Sequence, residues 1–144
     1  VSYFLAGDHR NALYWINEIL TQLKGDVRTD IQALSRLLFL IIHFDLNNND
    51  LIEYQIVSTY RYLLKKGGLN TFERMIIRFL KVNNYQDSRS LRKSFIDLKV
   101  KIEEAKENDL VIRSNLEIFD LLSWLESKIE NKPLLDIIKN KAIS

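Results

Sequence analysis

An all-helical fold is the architecture this sequence predicts, on three observations. Four Gly and one Pro in 144 residues supply too few turn-makers for a fold of many short strands. Leu and Ile together number 40, ample apolar material for a helical core. These residues recur mostly at spacings of three and four, the helical period, rather than two. With 47% hydrophobic and 28% charged residues, the composition is that of a globular domain and not of a disordered chain.

The elements follow in order. Gly7 ends what precedes it, and Asp8 caps a first helix to Lys24 with the stripe Ala12, Ile16, Ile19, Leu20, Leu23. Gly25 stops that helix and Asp26 caps the next, from about Val27 to Leu46. This second helix has two stripes: Val27, Ile31, Leu34, Leu38 and Ile41, then Leu37, Leu40 and Phe44. A helix apolar on two sides is packed on two sides. Asn47-Asn48-Asn49 is a turn, because Asn tolerates the left-handed backbone. Asp50 and Glu53 have capping-box spacing and open a third helix to Lys66, with Ile52, Ile56, Tyr60, Leu63 and Leu64 inward. Gly67-Gly68 ends it. Asn70 and Glu73 repeat the box and open a fourth helix to about Val82. After a loop at 83–87, Ser88 starts a fifth helix with the stripe Leu91, Phe95, Leu98, Ile102, Ala105. The stretch 107–113 reads as a polar connection. Ser114 and Glu117 form a third box for a sixth helix with Ile118, Leu122, Leu125 and Ile129, and Pro133 opens a last short helix. Short connections imply antiparallel hairpins.

Charge narrows the classes of partner. Lys and Arg number 21 against 19 Asp and Glu, interspersed, so no nucleic-acid partner is expected. The longest apolar run, Leu37 to Ile42, is far short of the ~20 residues that span a bilayer, so no membrane insertion is expected. There is no Cys, and His9 and His43 are isolated, so neither a metal site nor a cofactor is implied. No phosphate loop or nucleophile elbow occurs, and an enzyme is not expected. The chain starts with Val, so missing upstream sequence is expected; the lack of Cys fits a cytoplasmic protein.

The sequence also repeats. Leu13, Ile52 and Arg92 lie 39 and 40 residues apart, each near the start of the second helix of a hairpin. Gly7-Asp8, Ala12-Leu13, Trp15 and Ile19-Leu20, within Tyr3 to Leu20, resemble the second half of a tetratricopeptide repeat. In that family a Gly-Asp turn precedes a helix whose small Ala lets its partner approach closely. About twenty residues carry the resemblance. It implies the divergent C-terminal part of a bacterial repeat protein, folded as antiparallel hairpins in a tetratricopeptide-like right-handed α-solenoid. The expected organisation is a single helical-repeat domain over 1–144: a partial first pair at 1–24, a second at 27–66, a third at 70–106 and capping helices at 114–144.

The resemblance further implies a concave face, lined by the first helix of each pair, that binds a protein or peptide. The corresponding positions are Arg36, Leu40, His43 and Phe44 in the second pair, Glu73, Ile76 and Leu80 in the third, and Phe4 in the first. Arg36 could hold a peptide carboxylate, or be a salt-bridged arginine. His43 could titrate in the groove, or bond a carbonyl or Asp45. Tyr60-Arg61-Tyr62 sets a cation between aromatics, though adjacent helical residues point different ways. The basic residues of the fifth helix, Arg89, Arg92, Lys93, Lys99 and Lys101, interleave with acids as a solvated face. The expected function is a non-catalytic scaffold module at the end of a repeat array; the alternative is a helical-repeat sensor controlling an attached effector.

Overall fold

Eight helices and no strand occur among the residues described by the computed structural model, 9–14 and 29–143. Helix α1 covers the described residues 9–14. It is followed by α2 (Thr29–Asp45), α3 (Asn49–Lys65), α4 (Thr71–Asn83), α5 (Ser88–Lys106), α6 (Leu110–Ile118), α7 (Leu121–Glu130) and α8 (Leu134–Ile143). Contacts run mainly between neighbouring helices. The described residues fall into two compact units, 9–85 and 86–143, dividing between Tyr85 and Gln86, inside the expected third pair.

In the first unit α2 packs on both α3 and α4, and α3 packs on α4. Leu34, Leu37, Leu38, Leu40, Ile41, Ile42 and Phe44 are all buried, so the described residues of both apolar stripes of α2 are covered; Val27 lies outside the described residues. Each such side chain stabilises the fold by roughly 1.5–3 kcal/mol when fully buried. Ala12 is buried as well, and the His9 imidazole bonds the Asp45 carboxylate.

The turn after α2 forms as the Asn run predicts, with Asn47 at φ 61° and the Asn48 amide donating to the His43 carbonyl at 3.0 Å. The capping box expected at Asp50 and Glu53 does not form. Asn48 occupies the N-cap without a side-chain capping bond, so Asp50 already lies inside the first turn. Both carboxylates instead accept from the Tyr85 hydroxyl. The box at Asn70 does form: its side chain accepts from the Glu73 amide at 2.8 Å, and Glu73 accepts from the Asn70 amide at 2.9 Å. Between α3 and α4, Gly67 and Gly68 adopt φ 123° and 107°, a backbone that any side chain would strain.

In the second unit α5 packs on α6 and α7, and α7 on α8. Asp87 caps α5 by accepting from the Ser90 amide at 2.8 Å. Phe95, Leu98 and Ile102 are buried, and Phe95 meets Trp124 edge-on at 5.6 Å. The expected polar connection at 107–113 is corrected, because α6 begins at Leu110 behind an Asp109 cap and buries Ile112. Ser114 therefore lies mid-helix and caps nothing. Phe119 takes an extended conformation (φ −132°) that separates α6 from α7, which Asp120 caps through the Ser123 amide. No helix among the described residues is long and apolar enough to cross a membrane.

Candidate functional site

The groove positions carried over from the repeat family can now be located. Phe4 lies outside the described residues. Leu40, His43, Phe44, Glu73, Ile76 and Leu80 are interior side chains of the 9–85 unit. Their positions are covered because α4 lies against both α2 and α3. The Phe44 ring sits 5.8 Å from Phe79. His43 packs against Phe39 at 4.4 Å and accepts a hydrogen bond from Asn48 Nδ2 on Nδ1 at 2.8 Å. Burial pushes its pKa down. Beyond its capping role, Glu73 pairs with Lys66 at 3.0 Å. Arg36 is half-buried and reaches an open cleft.

Two clefts flank α3. The first, about 1040 Å³, runs between α3 and α4. Its floor is the buried pair Ile56 and Ile77. Its wall carries Val57, Tyr60 and Leu64, which are 50%, 45% and 51% exposed and recur at i, i+3, i+7. Tyr60 and Leu64 were expected inward; Thr59 is buried in that sector instead, with Ile52, Ile56 and Leu63. In the described lining, Arg61, Arg74, Arg78 and Lys81 rim the groove against one carboxylate, Glu53. That carboxylate accepts from Tyr85 Oη at 3.1 Å, and Asp50 accepts from the same hydroxyl. The hydrogen bond to Asp50, foremost, holds the Tyr85 hydroxyl well above the usual tyrosine range.

The second cleft, about 510 Å³, is lined by Arg36 of α2 and by Tyr54, Val57, Ser58, Arg61, Tyr62 and Lys65 of α3. The Tyr62 hydroxyl donates to Gln32 Oε1 at 2.9 Å, and the Arg36 guanidinium lies 4.0 Å above the Tyr62 ring. The Tyr60-Arg61-Tyr62 run thus splits: Tyr60 faces the α3–α4 groove, Tyr62 the α2–α3 cleft, and Arg61 borders both.

The groove-lining residues that sequence reasoning missed carried one signal. Val57, Tyr60 and Leu64 form a second apolar stripe beside the buried one on α3. The basic rim carried none, since it is assembled from two helices. Among the described residues no group of three or more acidic or histidine side chains could hold a metal ion. No family model matches the chain, and no curated protein or solved structure matches it.

Proposed function

We propose that this chain is a non-catalytic protein-binding module whose α3–α4 groove docks an acidic amphipathic helix of a partner, at the end of a tetratricopeptide-like solenoid array. The observation that carries the reading is the exposed stripe Val57, Tyr60, Leu64 beside an apolar floor. A partner helix carrying its own apolar anchors at i, i+3 and i+7 covers such a stripe along its length. Charge selects the occupant, since in the described lining four cations face one carboxylate, which already serves Tyr85. Completing the burial of three half-exposed side chains contributes roughly 2–4 kcal/mol. The basic rim steers encounter and discriminates by sign more than it adds affinity. What supports the array reading is packing mainly between neighbouring helices within each unit, together with the buried small residue Ala12.

Fluorescence anisotropy tests the reading with three labelled helical peptides that share one apolar face and carry acidic, neutral or basic polar faces. The acidic peptide should bind tightest, and Leu64→Glu should weaken it about tenfold or more, equivalent to about 1.4 kcal/mol. Equal binding of all three peptides, or an unaffected Leu64→Glu, would rule the groove out.

A further inference from the structure

We infer that the α2–α3 cleft is a second, separate binding site, one that takes a phosphate-monoester dianion. Tyr54, Ser58, Arg61, Tyr62 and Lys65 recur at helical spacing along one face of α3, opposite Arg36 of α2. The described lining holds three cations and no carboxylate.

Arg36 stands at the centre of the cleft's chemistry. Its Nε is buried and has no hydrogen-bond partner among the described residues. Elsewhere half-buried lysines find acids: Lys66 pairs with Glu73 at 3.0 Å, and Lys99 with Glu103 at 3.3 Å. The guanidinium is nonetheless held in place, its face on the Tyr62 ring and that ring tethered through its hydroxyl to Gln32. The guanidinium lining the cleft is thus pre-positioned, and its fork of terminal N–H groups suits an incoming oxyanion, while the buried Nε of the same group reports on its occupancy.

Charge balance selects phosphate over carboxylate. Arg61 and Lys65 stand one helical turn apart and repel, and Arg36 adds a third positive charge to the same cleft. A dianion with three acceptor oxygens offsets more of that repulsion than a monoanion with two. The Ser58 and Tyr54 hydroxyls of the lining are neutral donors for the remaining oxygen. About 510 Å³ exceeds what one phosphate fills, leaving room for the group that carries it.

The site is separable from the peptide groove, because Arg36 and Lys65 line this cleft and not that groove. The test therefore uses them and leaves Arg61 intact. The Arg36 Nε–Hε resonance of ¹⁵N-labelled protein is followed while glycerol 3-phosphate, a phosphoserine peptide or succinate is added. Both phosphates should shift it saturably, and succinate should bind several-fold more weakly. Lys65→Gln, at an exposed position, should weaken phosphate binding about fivefold with an unchanged melting temperature, and Arg36→Lys about tenfold, because an ammonium cannot replace the fork. Tighter binding of the phosphoserine peptide assigns the group to a partner protein, and tighter binding of glycerol 3-phosphate assigns it to a free small molecule. Absence of a saturable shift, succinate matching phosphate, or a Lys65→Gln variant of undiminished affinity would overturn the proposal.

Discussion

At His43 burial has a direct thermodynamic consequence. Its folded pKa lies below 6.5, so near and below that value the unfolded chain binds more protons than the folded one. Stability from this residue is complete above the unfolded pKa and is lost as pH falls through the folded one. The Asn48 Nδ2 bond acts in the same direction, since a protonated Nδ1 could not accept it. Denaturant unfolding at about pH 5.5 and about pH 7.5 should show wild type losing more stability on acidification than His43→Gln. Equal losses would mean that His43 is protonated freely in the fold. Tyr85 offers a second residue-scale test. Asp50→Asn removes the carboxylate that most restrains its ionisation, so the Tyr85 ring-carbon shift should titrate at lower pH than in wild type, with Glu53 still in place. An unmoved titration would contradict the hydrogen-bond assignment.

Elements show where local sequence suffices and where it does not. Asn70 and Glu73 close their box because Gly67 and Gly68 end α3 cleanly and leave Asn70 at the N-cap. Asn70→Ala should accordingly cost about 1 kcal/mol in equilibrium unfolding. Asp50 and Glu53 have the same spacing, yet the start of the helix is set two residues earlier, at Asn48, behind the left-handed Asn47. The spacing of a box is necessary, and the register of the preceding turn decides whether it closes. The helix start inside 107–113 was legible, since Asp109 stands as a cap directly before the apolar run Leu110-Val111-Ile112. The stretch reads as polar only when its first three residues and Arg113 are weighed over that run, and Ile112 is buried. By contrast, nothing like Gly or Pro marks the break at Phe119; an extended backbone and the Asp120 cap make it. Ile112→Ala should cost about 2–5 kcal/mol, the range for emptying a buried aliphatic site, whereas a linker residue would cost almost nothing. A denaturation midpoint unchanged by that substitution would return 107–113 to a loop.

At the scale of the whole molecule, the helical class was legible in composition and periodicity, since both report burial directly. The candidate site was not. The family alignment pointed to the first helix of each pair, but α2 is covered by α3 and α4, which turns Leu40, His43, Phe44, Ile76 and Leu80 into core. The accessible features lie on the flanks of α3, where a groove rim is contributed by residues as distant as Arg61 and Lys81. No one-dimensional pattern brings such residues together. The proposed partner preference rests on that rim, so the most direct measurement reverses its sign. In Arg74→Glu/Arg78→Glu, both exposed and on α4, the anchors Val57, Tyr60 and Leu64 remain untouched. Peptide affinities should exchange order, the basic helix now binding about tenfold tighter than the acidic one, with the melting temperature within a few degrees of wild type. A folded double variant that still prefers the acidic peptide would contradict docking in the α3–α4 groove.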